Sequence, residues 1–223
     1  MRKDSIREIA EDIAKYSPKP REVRLVAVSK YVGPETMAEA VAEGITIFGE
    51  NRAQSFRDKK AWFDEKGIKD VSWHFIGNLQ KNKVRYIVAD AALIHSVNRL
   101  DIAAEIDRQA AGIGRVVDVL LEVNVSGEQS KEGYSPEILK KELDRLTKLK
   151  NIHIIGLMTM APLTEHEATI RKCFGGLREL EAELNESTFH GQLRELSMGM
   201  TNDYKIALSE GATLIRIGSK LFL

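Results

Sequence analysis

A lysine that follows a short run of β-forming residues is the first candidate for chemistry in this sequence. Leu25 to Val28 is typical of a buried parallel strand, and Gly33-Pro34 predicts a turn that leads into a helix. Lys30 is therefore expected at the carboxyl end of a strand, partly desolvated, where the neutral amine is favoured. A neutral lysine amine can attack an aldehyde to form a Schiff base. On this stretch alone, a lysine that simply extends into water is an equally good interpretation.

Two segments near the end of the sequence place glycine beside hydroxyl side chains. Ser197, Met198 and Gly199 form the first segment, and Gly218 and Ser219 form the second. Backbone N–H groups beside glycine can approach an anion closely, and hydroxyl groups can donate to it. Either segment alone is more simply a turn. Because the loops after strands seven and eight of a (β/α)8 barrel often bind phosphate, the pair predicts a phosphorylated ligand.

An arginine interrupts the last apolar run of the sequence. Arg216 lies between Ile215 and Ile217, and an arginine on a buried strand rarely lacks a partner. Together with Lys30 and the two phosphate segments, it predicts pyridoxal 5'-phosphate (PLP), whose ring nitrogen, aldehyde and phosphate need these three contacts. Arginine does not readily release a proton, so it would leave the ring nitrogen unprotonated and make the ring a weaker electron sink.

Strands and helices alternate strictly along the chain, which predicts a parallel sheet. The predicted strands are 25–28, 45–48, 72–76, 93–97, 116–123, 152–157, 193–196 and 213–217. Eight such units favour a single-domain (β/α)8 barrel of the TIM type over residues 1–223, an α/β fold, with an open sheet as the alternative. An extra N-terminal helix over Ser5 to Lys15 is expected to cover the place of the eighth helix. The seventh strand carries the weakest signal.

Composition narrows the class of protein. The chain has 223 residues, 43% of them hydrophobic and 30% charged, which is ordinary for a globular domain. Lys+Arg and Asp+Glu both number 33, so no charge excess favours nucleic acid or a membrane surface. The single cysteine, Cys173, is predicted to be a packed thiol, and with no signal peptide a cytoplasmic protein is expected. His74 is most simply a core histidine, and no metal site is predicted.

Several segments, in order over essentially the whole chain, resemble the pyridoxal phosphate homeostasis protein family. They are Ala27-Val-Ser-Lys30, Phe48-Gly-Glu-Asn51, Trp73-His-Phe-Ile-Gly-Asn-Leu-Gln-Lys-Asn-Lys83, Val123-Asn-Val-Ser-Gly-Glu128, Gly156-Leu-Met-Thr-Met160, Ser197-Met-Gly-Met200 and Arg216-Ile-Gly-Ser219. That family is similar in fold to the N-terminal barrel of alanine racemase but has a single domain.

The resemblance implies that Lys30 carries the cofactor and that Arg216 contacts its ring nitrogen. The residues that it places at the phosphate are Ser197, Gly218 and Ser219. Four further residues of the matching segments complete the expected cofactor-binding set: Asn51, Met158, Met198 and Gly199. The chain departs from the family pattern at Tyr31 and Arg52, where the family often has threonine and an aromatic residue, and these departures bear on how the cofactor site is lined.

The function expected from these features is PLP binding and homeostasis with little or no catalytic turnover. A racemase needs a second acid/base group across the ring, and in the two-domain racemase a tyrosine of the C-terminal domain supplies it. Tyr31 is expected to point to the opposite face of the strand from Lys30 and so not to replace that tyrosine. The alternatives are a PLP-dependent amino-acid racemase and a PLP-free Schiff-base aldolase acting on a phosphorylated sugar. Amino acids are possible partners, and both a monomer and a weak homodimer are compatible with the sequence.

Overall fold

Eight parallel strands close into a barrel. The computed structural model describes residues 2–129 and 131–223. Each strand pairs with the next along the chain, and the last pairs with the first. The strands are β1 Arg24–Val28, β2 Ile47–Glu50, β3 Ser72–Phe75, β4 Leu93–Val97, β5 Val117–Glu122, β6 Ile152–Met158, β7 Glu195–Ser197 and β8 Leu214–Ile217. The predicted barrel is therefore confirmed, and the open sheet is wrong.

Helices surround the barrel and connect its strands. They are α1 Lys3–Tyr16, α2 Pro34–Ala42, α3 Ala53–Glu65, α4 Leu100–Gly112, α5 Pro136–Leu146, α6 Glu167–Leu184, α7 Tyr204–Ser209 and α8 Ser219–Phe222. The connection between β3 and β4 contains a 3-10 helix, Lys81–Tyr86. Within residues 2–129 and 131–223, no helix combines the length and the apolar character that a membrane span requires.

The N-terminal helix lies beside the last strand–helix unit, as the sequence predicts. The Arg2 N–H donates to the Leu221 carbonyl at 2.9 Å, and Lys220 Nζ lies 2.7 Å from Glu8 Oε1. The eighth helix, which is expected to be missing, is present as the short α8. Thus α1 supplements a helix that is too short to cover this side of the barrel alone.

The seventh strand lies two residues later at its start than its apolar pattern predicts. The Asn185 side chain accepts from the Leu193 N–H at 3.0 Å and donates to the Leu193 carbonyl at 2.9 Å. Both backbone groups of Leu193 are therefore bound to the segment that follows α6 and are unavailable to the strand ladder. As a result β7 begins at Glu195, and Ser197 is its last residue rather than the first residue of the loop.

Side chains alternate along each strand between the barrel interior and the layer under the helices. The interior holds a small apolar cluster made of Val26, Leu93, Leu120, Ile155, Met158 and Leu214. Two residues further along β4, β5 and β8, the same face carries His95, Glu122 and Arg216, all buried. The interior is therefore apolar in its middle and polar at the carboxyl end of the strands, where such barrels bind ligands.

Candidate functional site

Lys30 lies in a turn two residues beyond the end of β1, not on the strand. Its side chain is exposed, and Nζ lies 4.8 Å from the centroid of the Tyr31 ring, within cation–π range. The expected partial desolvation of Lys30 is therefore wrong. The expectation that Tyr31 lies on the opposite face is also wrong, because strand alternation does not apply in a turn. The amine lies at the carboxyl end of the barrel strands, where a small aldehyde can reach it.

A buried ion pair holds the backbone on either side of this turn. Lys59 Nζ donates to Glu50 Oε1 at 2.5 Å and to the Ser29 carbonyl at 2.7 Å, and the Ser29 hydroxyl donates to the same carboxylate oxygen at 2.6 Å. Glu50 is fully buried, and among the described residues its Oε2 has no hydrogen-bond partner. Since Ser29 precedes Lys30 and Glu50 precedes Asn51, one side chain of α3 ties together the ends of β1 and β2.

Asn51 lies at the same end of the barrel, immediately after β2. It lines a cavity of about 340 Å³ together with Arg52, Lys83 and Tyr86. A Cβ atom added to Gly77 would lie 2.1 Å from the Asn51 carbonyl oxygen, so the backbone after β3 can approach Asn51 only because residue 77 is glycine. The structure therefore places Asn51 at the barrel mouth, in a close contact between the loops after β2 and β3.

Arg216 projects into the barrel interior, as the sequence predicts, and the structure brings Ser197 to it. Its Nη1 donates to Ser197 Oγ at 2.6 Å, and its Nη2 donates to the Thr159 carbonyl at 3.0 Å. Burial lowers the pKa of Arg216 to about 10, while Asp203 and Glu122 act to raise it. The guanidinium is therefore still charged at neutral pH, although it is almost completely buried.

Two buried histidines continue this set of interior hydrogen bonds. His95 Nδ1 lies 2.8 Å from Ser197 Oγ, and His95 Nε2 lies 2.9 Å from His74 Nδ1. Burial is the largest cause that lowers the pKa of both rings, to about 3 for His74 and well below the usual value for His95. His74 is thus the satisfied core histidine that the sequence favours. The role of His95 was missed, because its partner Ser197 is 102 residues away in the chain.

The loops after β7 and β8 meet at the barrel mouth. The Ser219 hydroxyl donates to Thr201 Oγ1 at 3.1 Å. Gly199 has a φ of +91°, a backbone conformation that other residues rarely adopt, and its missing side chain leaves room for Tyr204 and Ala207. The two segments predicted to bind phosphate are therefore neighbours, with hydroxyl groups beside glycine.

The remaining predicted residues have structural contacts of their own. The Met198 N–H donates to the Leu214 carbonyl at 3.1 Å, so this amide is used in the sheet. Met158 belongs to the interior apolar cluster. A Cβ atom at Gly218 would lie 3.2 Å from the Val28 carbonyl oxygen, which makes this the point where the loop after β8 passes the end of β1. Gly218 thus brings Ser219 towards the strand that leads to Lys30.

Glu122 is a buried carboxyl group that the sequence interpretation missed. It is the last residue of β5, and it is only 4% exposed. Burial raises its pKa to about 7, although Arg216 acts to lower the pKa; Glu132 raises it further. The available signal was an acidic residue next to the end of the β-branched run 116–123, which also contains Asp118.

The free energy of unfolding of the apo protein is expected to depend on pH through Glu122. Because its pKa is higher in the folded chain than the ordinary value of 4.5, the stabilisation of the protonated form is complete below pH 4.5 and is lost as the pH rises through 7. A Glu122→Gln variant cannot ionise there. We expect it to be more stable than the wild type by about 2–3 kcal/mol at pH 8 and closely similar at pH 4.5.

Urea unfolding at several pH values measures this difference. Glu132→Gln is the matched control, since it removes a neighbouring but exposed carboxylate and should change the pH profile only slightly. A Glu122→Gln protein with the same pH dependence as the wild type would show that Glu122 ionises normally.

Other clefts and reactive side chains lie apart from this mouth. A cavity of about 760 Å³ is lined by Arg24, Glu195 and Thr213, at the opposite, amino-terminal ends of the strands. Cys173 is buried, and burial raises the pKa of its thiol, which fits the predicted packed residue. In the described part of the chain, His, Cys, Asp and Glu side chains form no cluster that could hold a metal ion.

The fold and the site together define a class: a parallel (β/α)8 barrel with a lysine after its first strand and a buried arginine on its eighth. A sequence profile of the family "Alanine racemase, N-terminal domain" matches residues 2–223. The pyridoxal phosphate homeostasis protein of Aquifex aeolicus is 43% identical over 199 residues, covering 89% of this chain and 86% of that protein. The pyridoxal phosphate homeostasis protein of Pseudomonas aeruginosa is 40% identical over 225 residues, covering 96% of this chain and 94% of that protein.

Solved structures agree with these relatives. PipY of Synechococcus elongatus, solved with PLP bound, is 38% identical with a TM-score of 0.85, and the match covers 96% of this chain and 100% of PipY. Alanine racemase of Clostridium difficile is 15% identical with a TM-score of 0.75 and shares the fold over 98% of this chain and 56% of the racemase. The chain belongs to the pyridoxal phosphate homeostasis proteins, within the alanine racemase N-terminal domain family.

Proposed function

We propose that this protein binds PLP through Lys30, holds it as a reversible Schiff base, and serves PLP homeostasis with little or no catalytic turnover. One observation supports this most strongly: a charged, buried Arg216 lies in a barrel mouth that also carries an exposed lysine and two adjoining glycine–hydroxyl loops. These groups match the ring nitrogen, the aldehyde and the phosphate of PLP. The PLP bound to PipY, a relative of the same fold, agrees with the proposal.

Each part of the mouth has a place in this proposal. Lys30 supplies the amine, and Arg216 faces the ring nitrogen. The loop residues proposed to surround the phosphate are Gly199, Thr201, Gly218 and Ser219. Asn51 and Met158 line the mouth and the interior beneath it. Ser197 ends β7, and Met198 is the first residue of the phosphate loop that follows it. When bound, PLP supplies an electrophilic aldehyde and an aromatic ring that can accept electrons.

Low turnover follows from what Arg216 does to that ring. A guanidinium does not readily give a proton to the ring nitrogen, so the ring remains a weak electron sink. Racemisation also needs acid/base groups on both faces of the ring, whereas Tyr31 lies beside Lys30 on the same turn. The protein is therefore suited to hold and release a reactive aldehyde. Amino acids, which exchange with Schiff bases, are its proposed small-molecule partners.

The test is a visible spectrum of the apo protein titrated with PLP, followed by incubation of the holo protein with L- and D-amino acids. We expect a Schiff-base band that changes on exchange, without steady formation of the opposite enantiomer, a keto acid or carbon dioxide. Multiple turnover on any amino acid would show a racemase or another PLP enzyme. A protein that forms no band with PLP but is trapped by borohydride with a sugar phosphate would be an aldolase.

Three further properties belong to the same proposal. The barrel is taken as one domain that carries the whole site, with a cytoplasmic location supported by the single buried cysteine. The protein is proposed to be a monomer or a weak homodimer, which sedimentation velocity over a range of concentrations would distinguish.

A further inference from the structure

We propose that Ser197, His95 and His74 form a one-way hydrogen-bond chain that orients Arg216, so that Ser197 acts on the cofactor ring through Arg216 and does not bind the phosphate. This inference rests on the proposed function and changes the role that the family resemblance implies for Ser197. It makes Ser197 and His95 positioning residues for the contact between Arg216 and the ring nitrogen.

The direction of the chain follows from the chemistry of its first member. Arginine can only donate, so Ser197 Oγ must accept the 2.6 Å bond from Arg216 Nη1. In the described part of the chain Ser197 Oγ bonds only to Arg216 and to His95 Nδ1, 2.8 Å away, so the one proton of Ser197 goes to His95 Nδ1, which accepts it when unprotonated. His95 therefore carries its proton on Nε2 and donates it to His74 Nδ1 at 2.9 Å.

All three bonds are made, and the Ser197 proton has an acceptor, when both histidines are neutral and protonated on Nε2. With the protons on Nδ1 instead, the Ser197 hydroxyl would have no acceptor among the described residues. The environment favours this state, because both rings are buried and Arg24 lies near enough to lower the pKa of each; His74 and Arg216 also lower that of His95. A charged His95 would carry a proton on Nδ1 and would compete with Arg216 for the lone pairs of Ser197. The neutral pair thus leaves those lone pairs to the arginine.

A second contact holds the other branch of the guanidinium. Arg216 Nη2 donates to the Thr159 carbonyl at 3.0 Å, and the Thr159 N–H in turn donates to the Ser197 carbonyl at 3.1 Å. The guanidinium is planar, so two bonds on two nitrogens determine the orientation of its plane. Its orientation therefore depends directly on the Ser197 hydroxyl and, through it, on His95.

The hydrogen-bond chain also determines which hydroxyl group can donate to a phosphate. Phosphate oxygens accept hydrogen bonds, but the only proton of Ser197 is already used by His95. Ser197 is fully buried, whereas Ser219 is the exposed first residue of α8, and in the described part of the chain its hydroxyl bonds only to that of Thr201. Ser219 and Thr201 can turn towards an anion without breaking a buried bond. The phosphate contact therefore falls to these two residues.

Nitrogen-15 NMR of the apo protein tests the hydrogen-bond chain without any cofactor. We expect both His74 and His95 to be neutral and to carry the proton on Nε2 throughout the range from about pH 5 to pH 8. Ser197→Ala should alter the His95 ring signals most strongly. A His95 that is charged, or protonated on Nδ1, in this range would overturn the proposal.

A comparison of PLP with unphosphorylated pyridoxal tests the role of the hydrogen-bond chain in cofactor binding. If Ser197 acts through Arg216, Ser197→Ala should weaken the binding of PLP and of unphosphorylated pyridoxal by the same factor, on the order of tenfold. Ser219→Ala, the matched control, should weaken PLP binding and spare pyridoxal. A loss confined to PLP in Ser197→Ala would show that Ser197 holds the phosphate and would overturn the proposal.

Replacement of His95 separates positioning from packing. His95→Gln keeps an acceptor for Ser197 and a donor for His74, so it should preserve binding and the position of the Schiff-base band. His95→Leu fills the same space but should behave like Ser197→Ala. Equal behaviour of the two variants would overturn the proposal. If the wild-type protein bound neither ligand, the proposed function would fail together with the cofactor role of the chain, whereas the NMR result would still decide the proton arrangement.

Discussion

Lys30→Ala is expected to remove completely the visible Schiff-base band that PLP forms with the wild-type protein, because alanine has no amine to react with the aldehyde. Weaker, noncovalent binding should remain, since Arg216 and the hydroxyl groups of Thr201 and Ser219 are unchanged. The measurement is a PLP titration followed by borohydride reduction and intact mass spectrometry. The wild-type protein should gain one cofactor, and the variant should gain none.

Lys30→Arg is the matched control, because it keeps a positive charge beside Tyr31 but cannot form a Schiff base. It should lose the band as completely as Lys30→Ala does, while retaining more of the noncovalent affinity. Lys131 is another lysine at this end of the barrel, where its Nζ lies 2.5 Å from Glu128 Oε2 and donates to the Met160 carbonyl. A Lys30→Ala protein with a full band, and with the reduced adduct mapped to Lys131, would contradict the assignment.

Lys59→Met is expected to lower the free energy of unfolding by about 3–5 kcal/mol, because it leaves the fully buried carboxylate of Glu50 without its charged partner. The Ser29 carbonyl would lose a hydrogen-bond donor at the same time. Urea unfolding at pH 7 measures the change. Because Ser29 precedes Lys30, the variant should also bind PLP more weakly, through a less well-ordered turn.

Lys60→Met provides the control on the same helix. Lys60 pairs at the surface with Asp64, which is more than half exposed, so this change should stay within about 1 kcal/mol of the wild type. The double variant Glu50→Gln, Lys59→Met removes the buried charge together with its partner and should recover part of the lost stability. If Lys59→Met were no more costly than Lys60→Met, the buried pair would not hold the ends of β1 and β2.

The positions of most strands could be predicted because each is a short apolar run bounded by glycine, proline or a helix cap. β7 was misplaced at its start, since the Asn185 side chain binds the backbone of Leu193 and removes it from the ladder. No local pattern reveals that contact. The predicted partial desolvation of Lys30 was also wrong, because the turn after β1 leaves its side chain exposed beside the Tyr31 ring.

The sequence by itself determined the order of the strands, their parallel arrangement and the inward position of Arg216, because these follow from apolar periodicity and from an arginine within a buried run. Only the tertiary structure decided the partners of the buried polar groups. Closure of the barrel brings β3, β4, β7 and β8 around one interior, so that His74, His95, Ser197 and Arg216 share hydrogen bonds. A buried polar group must find a partner in space, and the distance along the chain does not limit which partner it finds.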